Sequence, residues 1–173
     1  MIRYTIGLLA LSGCIVIHGD RDDECGVDGD CGDLGLCDRG DCVSALDLTY
    51  EVDVLGASVG ALHPDGEAWD PEGGAPDLMV SFGRTEEDSC ITPTVADTFE
   101  ATWNLGCEFW MSAEDTLWIE VYDQDSEGYD LGASWSFAGE ADLAALVRTR
   151  GVPQVLIDES DTVSVTISVE PLF

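Results

Sequence analysis

Two acidic stretches hold the residues best suited to chemistry. The first is Trp69-Asp70-Pro71-Glu72-Gly73-Gly74-Ala75-Pro76-Asp77, and the second is Asp123-Gln124-Asp125-Ser126-Glu127-Gly128-Tyr129-Asp130. Carboxylates two positions apart in a loop can point inward together, with backbone carbonyls filling the gaps. Calcium takes about six to eight oxygen ligands at roughly 2.3–2.6 Å, and hard carboxylates are its usual partners. Without a cation such a cluster repels itself and its pKa values rise. Two such loops therefore point to bound metal, with a solvated acidic surface as the competing explanation. Solvation or salt adaptation suffices for Glu86-Glu87-Asp88 and Glu114-Asp115. The second stretch starts like an EF-hand, with Asp123, Asp125, Glu127 and Gly128 in step. Its twelfth position is Ser134 instead of Glu, and it follows a strand pattern, so the EF-hand is rejected.

The elements that must position these loops read as strands. Leu46, Leu48, Tyr50, Val52 and Val54 alternate with Asp47, Thr49, Glu51 and Asp53, a period of two. Leu78, Val80 and Phe82 repeat the pattern, as do Leu117, Ile119 and Val121, and Val163, Val165, Ile167 and Val169. Shorter candidates lie near Cys90 to Val95, Cys107 to Met111 and Ala133 to Phe137. One helix is expected over Glu140 to Arg150, with Leu143, Leu146 and Val147 on one face and Gly151 and Pro153 as stop signals. Seven or eight short strands in about 130 residues predict an all-β antiparallel sandwich. Trp103, Trp110, Trp118 and Trp135 read as core or half-buried packing in preference to a sugar platform, Trp103 and Asn104 as turn residues, and His18 and His63 as incidental.

Composition limits the partners. The 173 residues carry 36 Asp and Glu against 6 basic residues, all arginine, for a net charge of −30. Phosphate backbones would repel such a chain, so no nucleic-acid partner is expected. A hydrophobic fraction of 45% with five Trp excludes a disordered acidic tail.

The seven cysteines divide unevenly. Arg3, an apolar run from Tyr4 to Leu11, and Leu11-Ser12-Gly13-Cys14 resemble a bacterial lipobox. The resemblance implies a signal peptide over 1–13, acylation of Cys14, and a lipid anchor at the bacterial cell envelope, in the outer membrane or at the cell surface. An ordinary cleaved signal or a cytosolic start is the bland alternative. Assigning Cys14 to lipid leaves six cysteines. Cys25, Cys31, Cys37 and Cys42 cluster as C-x5-C-x5-C-x4-C, with connectivity open, while Cys90 and Cys107 sit in the globular part. Zinc is the rival for the cluster, but zinc favours tight C-x2-C pairs and an oxidising compartment favours disulfides. Residues 25–43 resemble the short disulfide-rich repeats of myxobacterial lipoproteins. They read as a stiff spacer after a 14–24 linker, too short to bury a core without bridges.

Residues 44–173 resemble a C2 domain, the eight-stranded sandwich that binds calcium and often phospholipid. Asp77-Leu78-Met79-Val80-Ser81-Phe82 stands where that family has Asp-Pro-Tyr-Val-Lys-Val. Ala96 to Asn104 is similar to the stretch ending in Pro-Val-Trp-Asn-Glu. Leu117 to Asp125 with Asp130-Leu131-Gly132 is similar to the strand, Asp-x-Asp loop and Asp-x-Ile-Gly exit. The resemblance implies five calcium ligands, Asp70, Asp77, Asp123, Asp125 and Asp130, with calcium as cofactor and an anionic phospholipid or acidic polymer as partner. Leu78 replaces the family's Pro, and no lysine exists to build a cationic lipid patch, so calcium binding carries over better than phospholipid binding. Only Tyr129 at the loop tips suits lipid.

A non-catalytic protein-interaction or structural module on the same scaffold is the alternative. An enzyme is not expected: two histidines leave little for a Ser-His-Asp or Cys-His arrangement. No Gly-rich phosphate loop appears either.

Overall fold

The computed structural model describes residues 24–70, 74–126 and 128–173. The expected signal peptide over 1–13, Cys14 and His18 lie outside them. Ten strands follow in chain order. β1 (Gly35–Asp38) and β2 (Asp41–Ser44) make a small hairpin. β3 (Leu48–Val59), β4 (Leu78–Gly83), β5 (Ser89–Ile91), β6 (Glu100–Met111), β7 (Thr116–Asp125) and β8 (Gly128–Ala138) come next. Helix α1 (Gly139–Val147), β9 (Gln154–Ile157) and β10 (Val163–Pro171) complete the chain. β6-β3-β10-β9 form one four-stranded sheet and β5-β4-β7-β8 the other, with every pairing antiparallel. The predicted all-β, eight-stranded sandwich is the observed fold.

The alternating residues do what their period demands. Tyr50, Val52 and Val54 from β3, Leu117, Ile119 and Val121 from β7, and Val163, Val165, Ile167 and Val169 from β10 are buried between the sheets. β3 extends beyond Val54 because a bulge between Val54 and Gly56 resets the phase, returning Ala57 and Val59 to the core. Opposite it, Asn104 takes φ 56° inside β6, so it serves a bulge and not a turn. Gly56 is required there: a Cβ would meet the Ala101 carbonyl at 2.7 Å. This double irregularity hid the first half of β6 from the period-two reading.

The helix ends at Val147, earlier than expected. Residues 148–150 turn away from it, with Arg150 at φ 43°. β9 has no counterpart among the expected strands, because only four residues of it pair with β10.

All six remaining cysteines are bridged, as Cys25–Cys37, Cys31–Cys42 and Cys90–Cys107. No thiolate is left in the cluster for zinc. Cys90–Cys107 joins β5 to β6 and so staples the edges of the two sheets. The small hairpin turns on Arg39 and Gly40, both at positive φ, the geometry that matches strand twist in a two-residue turn. The disulfide-rich segment is docked on the sandwich instead of standing off as a spacer. Leu36 is fully buried in the common core, and Arg150 Nη2 donates to Asp28 Oδ1 and the Cys37 carbonyl, each at 2.7 Å.

Candidate metal centre

Backbone pairing sets up the acidic end of the sandwich. The strand pattern of β7 continues past Val121 through Asp123 and Asp125, which pair with Asp130 and Gly128 of β8. The stretch expected as a loop is thus a tight hairpin projecting beyond the apolar core. Asp123 and Asp125, two apart on one strand, fall on one face.

Asp70 is brought in by its neighbour. Trp69 is 4% exposed, its Nε1 donates to the Gly60 carbonyl at 2.9 Å, and its ring lies against Gly132, where a Cβ would come within 3.0 Å of it. That anchor fixes the end of the 60–70 loop. Gly74 then lies so close that a Cβ would sit 2.5 Å from Asp70 Oδ2. Carboxylate oxygens of Asp70, Asp123 and Asp125 lie within 4.8 Å of one another.

Asp123 is the centre of this group. It is 1% exposed, and its Oδ1 accepts the Asp77 N–H at 2.7 Å while its Oδ2 is buried with no hydrogen-bond partner among the described residues. Burial pushes the Asp123 carboxyl up against the lowering effect of the Asp77 N–H. The charges of Asp125, Asp70 and Asp77 push it further. A buried carboxylate oxygen with no donor costs free energy unless a cation or a proton meets it. Three converging carboxylates with an orphaned inner oxygen suit a hard divalent cation such as calcium.

The other two expected ligands stand differently. Asp77 is beside the group, but its Oδ1 accepts the Asp97 N–H at 2.9 Å and its carbonyl accepts the Gln124 N–H at 2.9 Å, so it ties neighbouring segments together. Asp130 is exposed and lines an adjoining cleft of about 300 Å³ with His63, Asp65, Glu67 and Trp69. Neither belongs to the 4.8 Å group.

Several residues of this end escaped the sequence reading. His63 is not incidental: its Nδ1 lies 3.0 Å from Asp65 Oδ1 and its Nε2 3.0 Å from the Leu131 carbonyl. Leu62 and Leu131 are 51% and 45% exposed beside that contact, and Tyr129 is 61% exposed two residues from Leu131. Three apolar side chains are therefore exposed around this end, where Tyr129 alone was expected. Trp110 is 51% exposed, against its expected packing role. Asp88 and Asp115 are more than solvation, since they clasp Arg84 at 2.5 Å and 3.2 Å.

No family model and no curated protein matches the sequence. Solved structures do match the fold. They include the calcium-bound tandem C2 domains of Extended-Synaptotagmin 2, at TM-score 0.57 and 16% identity over 73% of this chain and 46% of that one. Another is a C2 domain at TM-score 0.51 and 12% identity, covering 73% of this chain and 99% of that one. Human GIVD cytosolic phospholipase A2 matches at TM-score 0.55 and 17% identity over 73% of this chain, which spans only 17% of its length. The fold is that of a C2 domain.

Proposed function

We propose that the chain is an extracytoplasmic lipoprotein of the bacterial cell envelope, anchored through Cys14, whose C2-type sandwich binds calcium and through it an anionic phospholipid. The observation that carries the metal reading is the buried, unpartnered Oδ2 of Asp123 among the carboxylates of Asp70 and Asp125. Asp70, Asp123 and Asp125 would hold the ion, with Asp77 and Asp130 at its margins. Bound calcium supplies positive charge that neutralises the cluster and offers a ligand position to an anionic headgroup. The exposed Leu62, Tyr129 and Leu131 favour a lipid surface over a soluble acidic polymer, since apolar tips gain by leaving water.

Calorimetric titration with calcium, beside an Asp123→Asn/Asp125→Asn variant, tests this. Saturable heat that the variant loses is expected. Absence of heat and of any melting shift at millimolar calcium would leave a non-catalytic interaction scaffold as the better reading.

A further inference from the structure

The carboxylate group and the entry of the chain lie at opposite ends of the sandwich. β3 runs from Leu48, paired with Met111, to Val59, paired with Val163. The 60–70 loop that delivers Asp70 leaves the Val59 end, and the 123–130 hairpin projects at that same end. The disulfide-rich segment enters at the Leu48 end. There the Tyr50 hydroxyl donates to the Ala45 carbonyl at 2.6 Å, and Arg150 holds Asp28 and the Cys37 carbonyl. Leu36, buried in the common core, holds this segment against the sandwich together with those Arg150 bonds.

Distances decide which surface the metal end can meet. The 12 residues of β3 span roughly 36 Å. Nine residues, 15–23, lie between Cys14 and Glu24, and that length of chain reaches at most about 36 Å when fully stretched. Turning the carboxylate end toward the anchoring surface would require Glu24 to stand a full domain length above that surface. That consumes the whole reach of the linker.

Resting on the reading proposed above, we infer that the protein bridges two surfaces. Cys14 holds one, and the calcium end, with the exposed Leu62, Tyr129 and Leu131 around it, engages a second, separate anionic phospholipid bilayer. The carboxylate end points away from the membrane that carries it.

The test uses the chain from Cys14 onward, whose six other cysteines are bridged, leaving that thiol to couple to a maleimide lipid in phosphatidylcholine vesicles. Separate phosphatidylserine vesicles are added with calcium. An order-of-magnitude rise in scattered light is expected, reversed by chelation and lost in Asp123→Asn/Asp125→Asn. Adding phosphatidylserine to the carrier vesicles should leave clustering with the separate vesicles intact. Its suppression there would show the calcium end reaching its own membrane and would overturn bridging. In parallel, uncoupled Cys14→Ser protein is sedimented with phosphatidylserine vesicles and calcium. Sedimentation without clustering overturns bridging alone, whereas failure of both overturns calcium-dependent lipid binding and bridging with it.

Discussion

The backbone N–H of Asp77 donates to Asp123 Oδ1 at 2.7 Å across 46 positions of sequence, and the other oxygen of that carboxylate is buried without a partner. One contact thus joins the start of β4 to the end of β7 and aims the second oxygen of Asp123 into the acidic end. The half-satisfied state of Asp123 links stability to a cation.

Asp123→Asn should therefore stabilise the calcium-free protein, because it removes a buried charge facing Asp70 and Asp125. The same change should abolish stabilisation by calcium. For the unaltered protein that stabilisation should reach about 2.7 kcal/mol at calcium a hundredfold above its Kd. Melting curves in chelator and in excess calcium, for both proteins, read both effects. A variant that melts lower in chelator would contradict the repulsive account.

Trp69 seats the loop that carries Asp70. Trp69→Ala should cost about 3–5 kcal/mol through loss of a buried aromatic and weaken calcium binding at the same time. Trp69→Phe keeps most of the ring and loses only the bond to Gly60, for about 1 kcal/mol. Denaturant unfolding and calcium titration on the two variants separate packing from hydrogen bonding.

Asp158 makes acid stability readable. Burial raises its carboxyl, but bonds from the Ser160 hydroxyl and the N–H groups of Val163, Ser160 and Thr162 outweigh that and hold it below its ordinary 3.8. With the folded value lowered, the unfolded chain takes up the proton first. The stabilisation is complete above 3.8 and is lost as pH falls through the folded value. Asp158→Asn should flatten the acid limb of stability against pH and leave its shape near neutrality unchanged, as measured by urea unfolding across the range.

The Cys90–Cys107 bridge spans a sequence separation of 17 between the two sheets. Replacing both residues with Ser should cost about 3 kcal/mol, a fall in Tm of about 10 °C for a domain of this size. Calorimetry should still give one cooperative transition, since the core between the sheets is continuous.

Arg150→Met should loosen the disulfide-rich segment without unfolding the sandwich. It removes the charge-assisted bonds to Asp28 and the Cys37 carbonyl, worth about 1.5–3 kcal/mol. Leu36 and the bridges remain. Amide exchange over residues 25–44 should speed up, with β3 and β10 protected as before.

The sequence alone determined the sandwich, because burial between two sheets forces a period of two that Leu48 to Val54, Leu117 to Val121 and Val163 to Val169 display openly. It also carried the acidic stretches and the division of the cysteines, since charge and residue type need no coordinates. Tertiary structure decided the rest. The bulge at Gly56 and Asn104 breaks the period locally, so the full lengths of β3 and β6 emerged only from pairing across the sheet. The hairpin at 123–130 looked like a loop because its side chains are polar, yet backbone hydrogen bonding takes no account of side-chain polarity. Five aspartates were interchangeable in the sequence. Long-range contacts made by Trp69 and the Asp77 N–H, with the local approach of Gly74, gather Asp70, Asp123 and Asp125, occupy Asp77 with neighbouring backbone and leave Asp130 in the cleft with His63. Which charges meet depends on approach across tens of residues, and no spacing along the chain encodes that distance.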